Sequence, residues 1–366
     1  MKSKHSIVRE YILSNILDGT YAPHQKINSE SELMEKFKVS RHTIRQAVGD
    51  LVNQGWLYSI QGSGTFCEDK SKQQSKNQNI KNIAIITTYI SDYIFPSIIR
   101  GAETYLSKNG YNVSLFNTDN NHENEKSILE RILKLRPDGV IIEPTKSSIA
   151  NPNINLYLNL EQLNIPYIMM NAYYDELEPL SITVDDYAGG YLQTKHLIEL
   201  GHRNIIGFFK IDDMQGTKRM RGYLKALREH NIPINPDIIV TFDTDNRMSK
   251  PKERLRSLLS QGDNTTPTGM VCYNDELAIM LLNVVREKNI RVPEDISIIS
   301  YDDSFLADAT EVKLTTIEHP KIKMGEDAAQ LIVKSITNQA KNDNELESII
   351  YKPKLILRNS TRLLDN

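Results

Sequence analysis

Between Ser29 and Gly55 the apolar positions recur at helical spacing in two blocks. Leu33, Met34 and Phe37 form the first, and Ile44, Ala47, Val48 and Leu51 the second, the latter placing one apolar stripe along a helix. Ser29 with Glu32 three residues later is a capping box that starts the first helix. Val39 closes it and Ser40 caps the next, so the connection is a tight helix-turn-helix. Upstream, residues 5–18 carry an apolar stripe of Ile7, Val8, Tyr11, Ile12 and Ile16 that Gly19 ends, predicting a third helix. Downstream, residues 56–67 alternate large side chains around Gly62-Ser63-Gly64, the signature of a β-hairpin. Three helices and a hairpin make a winged helix-turn-helix, an α+β domain over residues 1–68.

Residues 69–79 contain no apolar side chain, so nothing offsets the entropy of ordering them, and a flexible linker is expected. Beyond them the pattern switches to short apolar runs separated by amphipathic intervals. The runs are 83–89, 111–118, 139–144, 167–172, 205–210, 269–274 and 296–303, with helices starting at Pro96, at Asn121 and near Asn153. This is βαβ repetition, which builds parallel sheets covered on both faces. About 285 residues exceed one comfortable sheet, so residues 80–366 are expected to form a two-lobed α/β domain that binds an effector and dimerises.

The recognition candidates follow from the helical geometry. Arg41 and Arg45 fall one turn apart, off the apolar stripe, with His42, Thr43 and Gln46 beside them. Arg forks match guanine O6 and N7 in the major groove. Two helices alone are equally compatible with a hairpin whose arginines are solvated; the following wing favours DNA. Lys4, Ser29, Ser40, Gln61 and Gly62 complete the candidate DNA-binding set. Glu30 either points away from phosphate or accepts from a base edge such as cytosine N4. The charge distribution agrees: residues 1–70 hold 9 Lys and Arg against 8 Asp and Glu, residues 71–81 hold 3 against none, and the remainder 32 against 39. The front is thus +4 and the back -7, although +4 is modest for one phosphate-binding copy.

In parallel α/β sheets ligands bind beyond the carboxyl ends of the strands, often between lobes. Those ends carry Tyr89, Asp92, Tyr93, Glu143, Asn171, Asn274, Asp275, Asp302 and Asp303. Carboxylates and amides with interspersed tyrosines suit a polyhydroxylated sugar. Asp275 is equally a helix cap. Gly189-Gly190 at a helix start offers a phosphate cradle, which close helix packing explains more simply. Cys67 and Cys272 lack CxxC spacing, arguing against a disulfide framework or zinc site. No Walker loop or HExxH occurs, so neither a cofactor nor catalysis is expected, and a sugar-modifying enzyme fused to a DNA-binding domain is the alternative reading. No long apolar run or signal-peptide core is present, and a cytoplasmic protein without membrane contact is expected.

The run from Leu33 to Phe66, LMEKFKVSRHTIRQAVGDLVNQGWLYSIQGSGTF, closely resembles the DNA-binding domain of the GntR family of bacterial transcription regulators. From about residue 80 to the end, VDDYAGGYLQTKHLIELGHRNIIGF, KRMRGYLKAL, CYNDELAI, VPEDISIISYDD and LTTIEHP resemble the LacI/GalR family of sensory domains. That second resemblance implies that Arg219 is a cleft arginine gripping sugar hydroxyls. It implies that Asn274 and Asp302 are C-lobe contacts, that Asn171 and Glu143 are N-lobe contacts, and that His319 lies in the last crossover strand. LacI-type regulators normally carry a helix-turn-helix with a hinge helix, which the winged helix and polar linker replace, so hinge-helix coupling does not carry over. The hybrid, with residues 87–101 and 143–147, resembles the L-arabinose repressor family. It implies a dimeric, sugar-responsive repressor of double-stranded operator DNA, with L-arabinose as leading effector and another pentose or a phosphorylated sugar as runner-up.

Overall fold

The computed structural model describes residues 4–17, 20–60, 62–68, 81–260, 266–339 and 346–364. Gly19, Gln61 and the linker expected over 69–79 lie outside the described residues. The chain divides into two compact units, residues 1–80 and 81–366.

The first unit contains α1 (Lys4–Leu17), α2 (Glu30–Phe37), α3 (Arg41–Asn53), β1 (Leu57–Ile60) and β2 (Gly64–Cys67). Both halves of the Ser29–Glu32 capping box are made, and the Ser40 side chain caps α3 by accepting from the Thr43 N–H. Lys38, left-handed at φ 49°, ends α2 one residue earlier than expected. Val8, Ile12, Leu33, Ile44, Ala47, Leu51 and Leu57 close one core. Full burial of a leucine or isoleucine is worth about 1.5–3 kcal/mol. Ile7 does not join it: at 44% exposure it sits on the solvent side of α1, while Val8 takes the inward position. β1 and β2 pair antiparallel with Ile60 opposite Gly64, and the hairpin is the wing.

The second unit has two lobes. In the N-lobe, β3 (Lys81–Thr87), β4 (Tyr111–Asn117), β5 (Gly139–Ile142), β6 (Tyr167–Met170), β7 (Ser181–Val184) and β13 (Ile349–Tyr351) form one sheet in the order β13-β7-β6-β5-β3-β4. Every pair in it is parallel. Successive residues point to opposite faces. Ile83 and Ile85 therefore pack with α4 (Phe95–Lys108) and α12 (Lys321–Gln339). Ala84 and Ile86 pack on the other face with α5 (His122–Leu135) and α6 (Ile154–Gln162).

In the C-lobe, β8 (Ile205–Lys210), β9 (Ile239–Phe242), β10 (Gly269–Val271) and β11 (Ser297–Ile299) form a second parallel sheet, order β11-β10-β8-β9. It is flanked by α7 (Asp186–Glu199), α8 (Met214–Glu229), α9 (Lys250–Leu259), α10 (Asp275–Glu287) and α11 (Phe305–Ala309). β12 (Thr316–Ile317) and β14 (Leu355–Ile356) pair antiparallel beside it. The chain changes lobe three times, after β7, after β12 and after β13. The expected parallel lobes are observed, and β12 stands just before His319 where the resemblance implies a crossover strand, but β7, β9, β13 and β14 were not anticipated.

Close packing accounts for Gly189-Gly190. A Cβ on Gly190 would meet the Arg219 carbonyl oxygen at 2.2 Å, because α7 and α8 touch backbone to backbone there. Only glycine permits that approach, and it seats Arg219 at the helix crossing.

Candidate functional site

In the winged-helix unit Arg41, His42, Arg45 and Gln46 are exposed on one face of α3. The arginines are not free: Glu30 Oε2 lies 3.3 Å from Arg41 Nε, and Glu30 Oε1 accepts from Arg45 Nε at 2.9 Å. One carboxylate at the start of α2 therefore orients both guanidinium groups. The Ser29 and Ser40 hydroxyls are used in capping, and Thr43 Oγ1 is 3.0 Å from Ser40 Oγ. Exposed Lys4 opens α1, and exposed Gly62 occupies the wing tip at φ 77°.

Between the lobes of the second unit lies a cavity of about 650 Å³. Tyr89, Asp92, Tyr93, Glu143, Asn171, Arg219, Asn274, Asp302 and His319 all line it. Asn171 (φ 65°), Asp302 (φ 95°) and Tyr93 (φ 59°) are left-handed. Backbone held in such a region is stored strain that the surrounding structure must support.

The N-lobe wall is a directed chain of hydrogen bonds. Thr88 donates to Glu143 Oε2 through its N–H at 2.9 Å and its hydroxyl at 2.6 Å, and Asn171 Nδ2 donates to Glu143 Oε1 at 3.0 Å. Because Glu143 fixes the amide's orientation, Asn171 Oδ1 faces His319 Nε2 at 3.0 Å and accepts from it. His319 Nδ1 is then an unprotonated acceptor, buried and without a partner. Burial, helped by Lys321 and Arg219, pushes its pKa down to about 3, which keeps the ring neutral. Burial also raises the Glu143 carboxyl, against the pull of Thr88 and Asn171.

The C-lobe wall centres on Arg219, 3% exposed. Its Nε donates to Asp186 at 2.8 Å and its Nη1 to the Tyr273 carbonyl at 2.7 Å, while Nη2 lies 3.5 Å from Asp302. Burial raises both carboxyls and Arg219 counteracts it. Lys210 reaches Asp212 at 2.8 Å and Asp213 at 3.0 Å. Burial works against its charge, yet Asp213 and Asp212 hold it above the usual amine range. Arg247 donates to the Tyr89 hydroxyl at 3.2 Å.

Three residues depart from expectation. Asp303 does not line the cavity and instead accepts from Arg358 Nη2 at 2.7 Å. Asp275 does not line the cavity: fully buried, it accepts from Ser300 Oγ at 2.5 Å, the Ser304 N–H at 2.7 Å and Thr316 Oγ1 at 2.9 Å. Nor is it the helix cap, because Asn274 takes that role by accepting from the Leu277 N–H at 2.9 Å. Tyr93 spends its hydroxyl on the opposite lobe, accepting from the Asp275 N–H at 3.1 Å and donating to the Tyr301 carbonyl at 3.3 Å.

Comparison with known proteins agrees with both units. Residues 5–67 match the model of the bacterial regulatory proteins of the gntR family, and residues 194–361 match a periplasmic binding protein-like domain. The arabinose metabolism transcriptional repressor of Halalkalibacterium halodurans is 56% identical, over 99% of this chain and 97% of its own length. The chain belongs to the arabinose metabolism transcriptional repressors. The Geobacillus stearothermophilus member of that family is 48% identical over 98% of both chains. Among solved structures, a LacI family transcriptional regulator from Enterococcus faecium with bound ribose superposes with a TM-score of 0.66 at 27% identity, covering 78% of this chain and 100% of that one. The repressor is therefore a transcription factor and not an enzyme, pairing a GntR-type DNA-binding domain with a LacI-type sensory domain.

Among the cavity residues of this repressor that the sequence reading does not reach are Asn120, Asp186, Lys210, Asp213 and Arg247. Lys210 ends β8, and the strand-end rule that flags Asn171 would have found it. Asp213 caps α8 through its bond from the Gly216 N–H, a local signal that reads as structural. Asn120 follows β4 as Asp92 follows β3, so the same rule reaches it, whereas Asp186 and Arg247 follow β7 and β9, which carry no run that the sequence reading picks out. Among the described residues no cluster of His, Cys, Asp or Glu is arranged to hold a metal, and no helix is long and apolar enough to cross a membrane.

Proposed function

We propose that this repressor binds operator DNA as a dimer in the cytoplasm and is released by L-arabinose held between the lobes of its sensory unit. The observation that carries the reading is the buried bare acceptor, His319 Nδ1, beside the buried Glu143, Asn171, Lys210 and Arg219 side chains, which are matched to one another or to neighbouring groups. A buried acceptor without a donor costs free energy, and a sugar hydroxyl supplies one. Lining carboxylates outnumber cations six (Asp92, Glu143, Asp186, Asp213, Glu276, Asp302) to three (Lys210, Arg219, Arg247). Lys210 and Arg219 are already matched by carboxylates, so a neutral polyol suits the site and a sugar phosphate does not. The family's link to arabinose metabolism selects L-arabinose among neutral pentoses.

In this reading Arg219, Asp302 and Asn274 hold one side of the ring, and Glu143, Asn171 and His319 the other. Sugar bridges the lobes and favours their closure, and closure moves the dimer away from the state in which two winged helices meet two half-sites. Arg41, Arg45, His42, Thr43 and Gln46 enter the major groove, with Glu30 directing the arginines. Gln61 and Gly62 follow the neighbouring minor groove, and Lys4, Ser29 and Ser40 meet phosphate. Calorimetric titration with L-arabinose, other free pentoses and a pentose phosphate tests the assignment. L-arabinose should bind with the greatest affinity; preferential binding of the phosphate would overturn it.

A further inference from the structure

The segment that follows the cavity residue Glu143 is braced against the N-lobe. Lys146 N–H donates to Asn120 Oδ1 at 2.8 Å, and His122 Nε2 lies 3.1 Å from the Thr145 carbonyl. Farther along, Asn151 Nδ2 and Asn153 Nδ2 each donate at 2.9 Å to Glu125, a carboxylate only 1% exposed. Tyr157 and Tyr174 give it their hydroxyls at 2.8 and 2.9 Å. Four donors around one buried carboxylate fix the loop's shape.

What the loop presents is two serines, and both bond to the other lobe. Ser147 Oγ accepts from the Met214 N–H at 2.9 Å. Met214 is the first residue of α8, whose early N–H groups have no acceptor within the helix. The Asp213 side chain caps the Gly216 N–H instead, so a serine from the N-lobe supplies what α8 lacks. Ser148 Oγ donates to the Ile211 carbonyl at 2.5 Å. A third bond runs from Asn120 Nδ2 to Thr244 Oγ1 at 2.6 Å. Neither serine lines the cavity.

We propose that Ser147 and Ser148 are a latch that holds the lobes together without touching the effector, and so set how much effector the repressor needs. The inference rests on the reading above in which lobe closure is the response. Bonds made only when the lobes meet add their free energy to that of the sugar in the same closing equilibrium. Losing one should raise the effector requirement on the order of threefold to tenfold, the range of a single net hydrogen bond.

The test uses the full chain carrying spin labels at Ser127→Cys in α5 and Ser257→Cys in α9, both exposed and on different lobes. Native Cys67 and Cys272 are buried. Without sugar, Ser147→Ala with Ser148→Ala should give a longer and broader interlobe distance distribution than the parent, and Ser147→Thr with Ser148→Thr, which keeps both hydroxyls, should give a narrower one than the alanine pair. Saturating L-arabinose should narrow the alanine variant's distribution again, at a midpoint shifted upward. Coinciding sugar-free distributions for parent and alanine variant would overturn the latch. If L-arabinose changed no distribution, the effector assignment would fall, while the sugar-free comparison would still decide the latch.

Discussion

The guanidinium carbon of Arg219 lies 3.5 Å from the ring centroid of Tyr301, and the same side chain is clasped between Asp186 and Asp302. A cation so placed is structural as well as cavity-lining. Arg219→Ala leaves two buried carboxylates uncompensated, which should destabilise the sensory unit by about 3–5 kcal/mol. The winged helix, a separate unit, should keep its own stability. Calorimetric unfolding of the variant should show a lowered transition for the large unit; an unchanged one would mean that the clasp contributes nothing.

His319→Leu removes the bare acceptor and its bond to Asn171 together. Sugar affinity should fall about fivefold to a hundredfold, corresponding to about 1–3 kcal/mol for a buried polar group left unmatched. Operator affinity measured without sugar should stay at the parent value. Equal sugar affinity in parent and variant would remove His319 from the site.

In the DNA-binding unit, Glu30→Gln should loosen Arg41 and Arg45 with little effect on folding, since exposed ion pairs contribute about 0–1 kcal/mol. Operator binding should become less selective, because the arginines lose their fixed direction. Arg45→Ala should cost about 1–3 kcal/mol of operator affinity and relax preference at one base pair of each half-site. Competition with single-base operator variants reads both effects, and a Glu30→Gln protein with undiminished selectivity would argue against the preorganised pair.

Asp275 supplies a pH signature. Burial first and Asp302 second push its carboxyl up to about 7, from an ordinary value near 3.8. A folded pKa above the unfolded one contributes stability that is full below about 3.8 and lost as pH rises through about 7. Asp275→Asn cannot titrate. The stability of the parent relative to the variant should therefore decline between pH 5 and pH 8, and a pH-independent difference would show that the carboxyl is not raised.

Much of this architecture is legible in local pattern. The capping box at Ser29, the cap at Ser40 and the stripe through Ile44 and Leu51 each act within a few residues, and each is observed. Strand ends located Glu143, Asn171, Asn274 and Asp302 for the same reason. Asp186 was not legible, because its partnership with Arg219 depends on α7 and α8 touching at Gly190. Asp275 was misplaced because only Ser300 and Thr316, far along the chain, decide which of two adjacent polar residues turns inward. The Glu30 clasp was missed because a pairing across two helices is invisible to helical spacing within either one. β13 and β14 are short and incompletely buried, so neither carries a clear apolar run.

The central claim is that a neutral pentose, entering the cavity, lowers operator affinity. Linkage makes the effect reciprocal: a sugar that weakens DNA binding tenfold is itself bound tenfold, or about 1.4 kcal/mol, less well by the DNA complex. The direct measurement is titration of a labelled operator complex with L-arabinose, with other free pentoses and with a pentose phosphate, at constant salt. The account predicts release by L-arabinose at the lowest concentration, with no release by the phosphate over the same range. Release by the phosphate alone, or by none of them, would contradict it.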